Sequence, residues 1–256
     1  PSRQRAATAW PCPRATPHSN GGRYRASTHH SGSALPSRAV QAQAIVTTKP
    51  DNMKSEKEKA SEGLLYDANY DGQLLRERAE CADMTHELNQ MRPSMAAERE
   101  ALLRRLLGRA GKALTILSPF FCDYGYNISI GDNFFMNMNC VILDGAKVTF
   151  GDNVFVAPGC GFYTAGHPLD SQRRNSGLEY AYPITVGNNV WIGAQVCVLP
   201  GVTIGDNTVI GAGSVVTRSI PANVLAAGNP CRVIRTITEA DKERYTQPPR
   251  LPHGEG

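Results

Sequence analysis

The residue of this sequence best suited to acid–base chemistry is His167. It lies in a stretch at residues 163–183 that is rich in polar and turn-forming residues and interrupts a regular aliphatic pattern. An imidazole with a pKa near ~6.5 can take up and release a proton at neutral pH. The other histidines beyond residue 50 are His86, in a predicted helix, and His253, in a polar C-terminal stretch. His167 is therefore the candidate general base.

The aliphatic pattern on either side of this stretch has a period of six residues. The first series is Ile184, Val190, Val196, Val202, Thr208 and Ser214, and the second, two residues later, is Val186, Ile192, Val198, Ile204, Ile210 and Val216. A period of six is neither helical nor a simple strand alternation. It is typical of short flat strands that are joined by tight turns and stack their aliphatic side chains inward. The pattern predicts a parallel β-helix over residues 118–237.

The stretch at residues 163–183 leaves this β-helix and returns to it in phase. Before it, the repeats slip by two near Phe150, where Gly131-Asp-Asn is echoed by Gly151-Asp-Asn. Loops that project from a rigid scaffold carry function more often than the scaffold does. We therefore predict that residues 163–183 form the catalytic loop. Cys140 and Cys160 fall on the inward phase and are predicted to be buried apolar residues.

Residues 51–117 have helical rather than six-residue spacing. Helices are predicted over 73–90 and from Ser94 to just before Gly108, separated by Pro93. The candidate packing positions of the first helix are Leu74, Leu75, Ala79, Ala82, Met84 and Leu88. We expect this helical segment to cover one end of the β-helix.

Charge divides the chain into two parts. Residues 1–50 contain seven basic and no acidic residues, whereas the rest has 20 basic against 23 acidic residues. The bulk charge of the second part argues against nucleic-acid binding, and no apolar run suits a membrane span. Residues 1–50 have the composition of an organelle transit peptide or of a disordered tail, and residues 238–256 are predicted to be a loose tail.

Cysteine usage suggests a cellular location. The seven cysteines are scattered, without a CxxC or metal-type spacing, which favours reduced thiols inside the cell. The expected location is the cytoplasm, or a chloroplast or mitochondrion if residues 1–50 are a transit peptide.

Several runs in residues 60–237 carry a family resemblance. They are Asp123-Tyr-Gly-Tyr-Asn-Ile, Thr164-Ala-Gly-His-Pro, Gly187-Asn-Asn-Val-Trp-Ile-Gly and Gly228-Asn-Pro-Cys-Arg-Val-Ile-Arg. This part of the chain resembles the sugar O-acetyltransferases of the hexapeptide-repeat superfamily, which include the maltose, galactoside and nodulation acetyltransferases. The resemblance implies a left-handed parallel β-helix, a homotrimer, and acetyl-CoA bound between neighbouring subunits, with no metal.

The resemblance also implies a mechanism. His167 would take the proton of the acceptor hydroxyl, the oxygen would attack the thioester directly, and the proton would pass to the departing CoA thiolate. Asn137 matches an acceptor-site residue that stabilises the oxyanion. The alternative for Asn137 is a turn residue that satisfies the backbone.

Further positions are assigned by the same resemblance. The acceptor-binding candidates are Asp123, Asn137, Asp144, Asp67 and Tyr70, whereas Gly145 replaces a family Asp. The acetyl-CoA candidates are Gly193, Ala194, Ala212, Thr217, Arg218, Arg232 and Arg235. The arginines would hold phosphates through their forked donors, or they simply form a solvated basic end.

Two alternatives to a sugar O-acetyltransferase remain open at this point. The same histidine chemistry would serve an enzyme acting on serine or on a chloramphenicol-type hydroxyl. A non-catalytic β-helical scaffold would keep the repeats without needing His167.

Overall fold

The structure is a computed structural model that describes residues 54–244. The described residues belong to one compact unit. The predicted transit peptide or tail at 1–50 and most of the predicted tail at 238–256 lie outside the described residues. Among residues 54–244, no helix is long and apolar enough to cross a membrane.

The N-terminal part is a short strand among three helices: Glu56–Ser61 (α1), Tyr66–Asp67 (β1), Gly72–Gln90 (α2) and Ala96–Leu106 (α3). Helix α1 begins at a capping box in which Ser55 and Glu58 bond each other's backbone amides. Helix α2 begins at Asp71, whose side chain accepts from two backbone N–H groups of its first turn. Helices α2 and α3 thus lie close to the helices predicted over 73–90 and from Ser94 to just before Gly108.

The buried face of α2 differs from the predicted one. Leu74, Cys81, Thr85 and Leu88 are buried, whereas Leu75, Ala79 and Ala82 are exposed. The buried residues are spaced by seven, four and three positions, so they form one narrow stripe along a helix of 3.6 residues per turn. The prediction included Leu74 and Leu88 but not Cys81 and Thr85, the two buried residues between them.

The rest is a parallel β-helix. Its strands are Arg109–Ala110 (β2), Leu114–Ile116 (β3), Phe120–Cys122 (β4), Ile128–Ile130 (β5), Phe134–Met136 (β6), Cys140–Leu143 (β7), Val148–Phe150 (β8), Phe155–Val156 (β9), Gly161–Tyr163 (β10), Ala165–Gly166 (β11), Leu178–Ala181 (β12), Ile184–Val186 (β13), Trp191–Ile192 (β14), Cys197–Val198 (β15), Thr203–Ile204 (β16), Val209–Ile210 (β17), Val215–Val216 (β18), Val224–Ala227 (β19) and Arg232–Thr236 (β20). The coil has three faces, β2-β5-β8-β13-β16, β3-β6-β9-β14-β17-β19-β20 and β4-β7-β10-β15-β18.

The β-helix begins earlier than the predicted boundary at residue 118. Strands β2 and β3 already pair in parallel with β5 and β6. Gly108 and Gly111 suggested the end of a helix, but Gly111 has a stacking role: a Cβ there would lie 2.3 Å from the carbonyl oxygen of Gly131 in the next coil. Only glycine allows this approach.

Inward side chains fill the coil. The rings of Phe134, Phe150 and Phe162 meet edge to face, with centroids 5.1 and 5.0 Å apart. Such contacts are favourable beyond the area that they bury. Cys140 and Cys160 are buried in the same core, as predicted, and the cysteines among residues 54–244 are free thiols.

A ladder of asparagines runs along one corner of the coil. Asn133, Asn153, Asn189, Asn207 and Asn223 all have positive φ, between 54° and 61°. Each of the first four donates its side-chain amide to the next, over 2.8–3.0 Å. Asparagine tolerates the left-handed region better than most residues do, so it suits both the turn and the ladder.

The same corner explains the phase slip near Phe150. The backbone N–H of Asp132 donates to Asp152, 20 residues on, whereas that of Asn188 donates to Asp206, 18 residues on. The earlier coil is therefore longer by two residues than the later one, which moves the aliphatic pattern by the same amount.

The loop at residues 163–183, which is the predicted catalytic loop, forms a small structure of its own. It contains β11, the helix Ser171–Asn175 (α4) and β12, and β12 pairs antiparallel with both β11 and β1. The loop is therefore tied to the N-terminal segment as well as to the coil. At the C-terminal end, β19 and β20 form an antiparallel pair that is followed by a short 3-10 helix, Glu239–Glu243.

Candidate active site

A cavity of about 310 Å³ lies where the catalytic loop, α2, β1 and the corner after β4 meet. The polar side chains around it are those of His167, Glu179, Asp123, Arg78, Tyr66 and Tyr124. The structure thus places His167 and Asp123, two of the predicted site residues, at one cavity. It adds charged neighbours that the sequence did not single out.

His167 has a defined ring orientation. Its Nδ1 lies 3.3 Å from the carbonyl oxygen of Leu178, and its Nε2 lies 3.8 Å from Oε1 of Glu179. A carbonyl oxygen can only accept, so Nδ1 carries the proton of the neutral ring and Nε2 keeps its lone pair. The side chain is 51% exposed, which leaves Nε2 accessible to a ligand. This is the arrangement that a general base requires.

Glu179 is held rigidly beside the histidine. The hydroxyl of Tyr66 donates to its Oε2 over 3.2 Å, and the side-chain amide of Asn69 donates to its Oε1 over 3.3 Å. The carboxylate lies where it stabilises positive charge that develops on His167 during proton transfer. Nothing in the repeat pattern marks Glu179, because its place depends on the pairing of β12 with β1.

Asp123 and Arg78 face each other across the cavity. One Nη of Arg78 donates to the carbonyl oxygen of Ala68 over 2.8 Å and to the hydroxyl of Tyr124 over 3.0 Å. Burial raises the pKa of Asp123, the nearby Arg78 lowers it, and Glu179 adds to the rise, with a net increase. Arg78 is four residues after Leu74 and three before Cys81, so it lies on the same face of α2 as the buried stripe; it escaped notice because only apolar residues were considered for that face.

Asp144 lies beneath this cavity, not in it. It is fully buried, and its carboxylate accepts from the backbone N–H groups of Asp123, Tyr124 and Asn127 at 3.0, 2.9 and 3.3 Å. The predicted direct contact with the acceptor is therefore wrong for this structure. Asp144 instead fixes the turn that carries Asp123, since buried backbone donors need a partner.

The titration of Asp144 predicts how stability depends on pH. Burial raises its pKa from an ordinary 3.8 to about 6, against the opposing effect of the backbone hydrogen bonds. The folded state thus binds this proton more tightly than the unfolded state does. The contribution is complete below about pH 4 and is lost as pH rises through about 6, by at most about 3 kcal/mol.

Asp144→Asn isolates this effect, because asparagine does not titrate. We expect the unfolding free energy of the natural protein to fall relative to that of the variant between pH 4 and pH 7. Urea unfolding at several pH values measures the difference. A difference between the two proteins that stays constant over this range would contradict the prediction.

Asp67 and Tyr70, the other predicted acceptor residues, lie beside the loop at residues 163–183. Oδ1 of Asp67 accepts from the backbone N–H groups of Asn69 and Tyr70, which closes a turn after β1. Tyr70 is 57% exposed and lies against Gly177 of the loop. Neither Asp67 nor Tyr70 lines the cavity, so their contact with an acceptor stays a prediction.

The presence of glycine at position 145, where the family has an Asp, is explained by the neighbouring Tyr66. A Cβ at this position would lie 2.8 Å from the hydroxyl oxygen of Tyr66. In this chain the tyrosine hydroxyl therefore occupies the space that a side chain at 145 would need.

Asn137 lies elsewhere. It lines an apolar groove together with Phe135, Phe155, Ala157 and Trp191, outside the cavity that holds His167. Its amide oxygen accepts from the backbone N–H of Met138 over 2.8 Å, which is the turn role considered as an alternative. The Nδ2 group remains as a donor. The two predicted catalytic residues thus lie at different corners of the coil within one chain.

The predicted acetyl-CoA residues divide between the same two corners. Gly193 follows a strand of the face that precedes Asn137, and a Cβ there would lie 2.6 Å from the backbone nitrogen of Ala212 in the next coil. Ala194 and Ala212 lie beside it on this corner. Thr217 and Arg218 are exposed and follow β18, at the corner from which the His167 loop leaves.

The two C-terminal arginines differ. Arg232 is exposed, and its Nη1 donates to the carbonyl oxygen of Cys231 over 2.8 Å. Arg235 makes a forked pair with Asp241, at 2.7 and 2.6 Å, and this pairing lowers the pKa of Asp241. A phosphate would have to compete with Asp241 for Arg235, but not for Arg232.

We therefore expect Arg232→Ala to raise the KM for acetyl-CoA about tenfold, as for a lost charge-assisted hydrogen bond. Arg235→Ala should have a smaller effect, because its fork already binds a carboxylate. Steady-state kinetics measures both, with Arg232→Lys as the control that keeps the charge. Equal KM values in Arg232→Ala and the natural protein would remove Arg232 from the site.

Two family descriptions and a relative from yeast match this chain. Residues 59–111 match the family described as the maltose acetyltransferase hexapeptide capping motif, and residues 183–218 match the bacterial transferase hexapeptide family (six repeats). A putative acetyltransferase of Saccharomyces cerevisiae is 58% identical over 179 residues, which are 70% of this chain and 91% of the relative. The chain belongs to the hexapeptide-repeat acetyltransferase family.

Solved structures of two acetyltransferases are similar to this hexapeptide-repeat acetyltransferase in fold and in sequence. Galactoside acetyltransferase in complex with coenzyme A has a TM-score of 0.73 and 43% identity, over 76% of this chain and 97% of that chain. A maltose O-acetyltransferase from Clostridium difficile has a TM-score of 0.72 and 51% identity, over 73% and 100% of the two chains. The predicted family, fold and acyltransferase class are confirmed. The alternative of a non-catalytic β-helical scaffold is not supported by these relatives.

Within residues 54–244 of this hexapeptide-repeat acetyltransferase, no cluster of three or more His, Cys, Asp or Glu side chains is arranged to hold a metal ion.

Proposed function

We propose that this protein transfers an acetyl group from acetyl-CoA to a hydroxyl of a sugar, with His167 as the general base. One observation carries the proposal: the accessible Nε2 of His167 faces a cavity whose other polar groups are Glu179, Asp123 and Arg78. A sugar presents many hydroxyls, and a cavity with both charged donors and charged acceptors suits such a ligand.

The proposed reaction is a direct transfer without an acyl-enzyme, by addition to the thioester and then elimination of the thiolate. His167 Nε2 takes the proton of the acceptor hydroxyl while its oxygen attacks the thioester carbonyl carbon. The resulting oxyanion collapses and the carbon–sulfur bond breaks. The imidazolium then returns the proton to the departing thiolate, so that the ring is neutral again. Glu179 stabilises the ring while it carries the charge.

We further propose that the enzyme is a homotrimer whose sites are shared between subunits. Two observations support this. The His167 cavity and the Asn137 groove lie at different corners of one coil, so one chain does not unite them. The groove also exposes Phe155 and Trp191, which are 48% and 55% accessible and stack in register. Exposed apolar columns of this kind favour burial against another chain.

In such an assembly, acetyl-CoA would lie between the corner that carries Asn137 and the His167 corner of a neighbour. A narrow pantetheine chain would lie along the small side chains of Ala194 and Ala212 on the first corner, where Gly193 lets the two coils stack closely. Arg232 would bind a phosphate, and the Nδ2 group of Asn137 would donate to the oxyanion.

A thiol-release assay on the full chain tests the function. The protein is given acetyl-CoA with glucosides, galactosides, maltose, serine or chloramphenicol, each in turn. We expect release that depends on a sugar. Release with serine or chloramphenicol alone would overturn the sugar assignment and support the corresponding alternative.

A further inference from the structure

Two cysteines from different elements touch each other beside the cavity. Cys81 is buried on α2 and Cys122 is the last residue of β4, and their Sγ atoms lie 3.5 Å apart. The thiol of Cys81 donates to the carbonyl oxygen of Cys122 over 3.4 Å. The thiol of Cys122 is then the donor to the sulfur of Cys81. The packing of α2 on β4 thus brings two reduced sulfurs into contact.

A small oxidant reaches this pair more readily than it reaches the thiols of the coil core. Cys140 and Cys160 are 0% and 1% exposed inside the coil. Cys122 is only partly buried, and Cys81 lies directly behind it. Oxidation at the surface of the folded protein therefore favours the sulfur of Cys122, with a second thiol already in place beside it.

The pair joins two charged walls of the cavity. Cys81 is three residues after Arg78, which is less than one helical turn, and Cys122 immediately precedes Asp123. The side chains of Arg78 and Asp123 both line the cavity. A bond between the two sulfurs would therefore change the distance between these walls.

The two walls are not held equally. The backbone N–H of Asp123 donates to the buried Asp144, which fixes the corner after β4 from below. The C-terminal end of α2 is held by Asn89, whose side chain donates to the carbonyl oxygen of Phe120 and accepts from its N–H, both over 2.9 Å. The N-terminal half of α2, which carries Arg78, is therefore the part that a bond at Cys81 displaces most.

We propose that Cys81 and Cys122 form a reversible disulfide under oxidising conditions, and that this disulfide lowers the rate of transfer to the acceptor. The inference rests on the proposed function, because it concerns the regulation of the same site. The oxidant is a peroxide, such as hydrogen peroxide, and a dithiol reductant reverses the reaction.

The reaction is a two-electron oxidation. Hydrogen peroxide oxidises the thiol of Cys122 to a sulfenic acid and is released as one water. The sulfur of Cys81 then attacks the sulfenic sulfur, and the hydroxyl group leaves with the proton of Cys81 as a second water. The two thiols thus lose two electrons and two protons to the peroxide, and one S–S bond forms.

The surroundings of Cys122 make this reaction slow. The hydrogen bond with Cys81 and burial raise the pKa of Cys122, so little of the reactive thiolate is present at neutral pH. We therefore expect the disulfide to form over minutes to hours, as a response to sustained oxidation.

The displacement is large enough to affect catalysis. An S–S bond of about 2.05 Å requires the two sulfurs to approach by about 1.5 Å. Rotation of the two side chains takes up part of this distance, and α2 takes up the rest. Because a misplacement of about 1 Å can cost about 100-fold in rate, we expect kcat/KM for the acceptor to fall roughly 10–100-fold. The KM for acetyl-CoA should not change, since no residue assigned to that ligand lies on α2.

Oxidation of the full chain tests the proposal. The reduced protein is treated with hydrogen peroxide, the excess is removed with catalase, and the protein is alkylated, digested without reductant and mapped by mass spectrometry. We expect a cross-link between the peptides of Cys81 and Cys122, a melting temperature higher by roughly 5–10 °C and the fall in kcat/KM, all reversed by dithiothreitol. Activity is followed through the loss of thioester absorbance, because a thiol reagent would also detect the cysteines of the protein.

Matched variants separate this disulfide from general oxidative damage. Cys81→Ser keeps a donor to the carbonyl oxygen of Cys122 but cannot form the bond, so its activity should be near the natural value before peroxide and unchanged after it. Cys197→Ser removes another partly buried thiol and should respond to peroxide as the natural protein does. Cys122→Ser takes the place of Cys81→Ser if that variant does not fold.

Three results would overturn the inference. They are the absence of the cross-link after prolonged oxidation, a cross-link that leaves kcat/KM for the acceptor unchanged, and an equal loss of activity in Cys81→Ser. The cross-link and the melting temperature are measured without any acceptor. A reduced protein that acetylates no sugar would contradict the proposed function, whereas a missing cross-link would contradict this inference alone.

Discussion

Replacing His167 with alanine should lower kcat by roughly two to four orders of magnitude, which is the usual contribution of a positioned general base. An acceptor hydroxyl is a poor nucleophile while it keeps its proton. The geometry places the lone pair of Nε2 at the cavity and gives the ring a partner at Nδ1 and a carboxylate at Nε2. No other side chain at the cavity offers a neutral nitrogen base. The KM for acetyl-CoA should change little, because His167 acts on the acceptor hydroxyl and other side chains are assigned to hold acetyl-CoA.

Steady-state kinetics and a separate measurement of acetyl-CoA binding check this result. His86→Ala is the matched control, because His86 is exposed on α2 and lies away from the cavity. It should retain full activity. A His167→Ala protein that keeps most of its turnover would contradict the mechanism, and loss of acetyl-CoA binding would show that the variant acts through the fold or the cofactor site.

Two inactive variants should restore activity when they share a trimer. His167→Ala removes the base, and Asn137→Ala should lower kcat by roughly two to three orders of magnitude through the loss of an oxyanion donor. If a site takes His167 from one subunit and Asn137 from its neighbour, some interfaces of a mixed trimer carry both natural residues. A mixed trimer holds two copies of one variant and one copy of the other, so one of its three sites carries both natural residues, and about a third of natural activity should return.

Co-expression of the two variants with different tags, followed by purification on both tags in turn, provides the mixed trimers. The control replaces His167→Ala by the double variant, which supplies neither residue and should restore nothing. Activity no greater than that of the single variants would argue that His167 and Asn137 serve separate sites.

The repeat pattern predicted the coil well because it depends on local physics. Aliphatic residues every six positions must face inward, and the Gly-Asp-Asn echoes mark the corner where the asparagine ladder runs. Buried Cys140 and Cys160 followed from the same phase. The start of the coil was misplaced, since the two-residue strand β2 is too short to display a period and Gly108 resembles the end of a helix.

The cavity was predicted only in part. His167 and Asp123 were found from the interrupted repeat and from the family runs. Glu179 was missed because the antiparallel pairing of β12 brings it to the cavity, and this pairing leaves no periodic signal. Arg78 was missed because it is charged, although its position follows the spacing of the buried stripe of α2. Asp144 was assigned to the acceptor although it serves the backbone below, since a sequence does not distinguish a buried carboxylate from an exposed one.

The base of the catalytic loop is closed: the backbone N–H of Tyr182 donates to the carbonyl oxygen of Thr164 over 2.9 Å. Strands β8 and β13 then pair directly, Thr149 with Thr185, as if the intervening segment were absent. The geometry of the coil therefore does not depend on the length or the sequence of the loop at residues 163–183. Exchange of this loop can therefore change which acceptor is bound, while the coil that carries the residues assigned to acetyl-CoA stays the same. Because β12 pairs with Tyr66 and Asp67, a working graft has to transplant the strand β1 along with the loop.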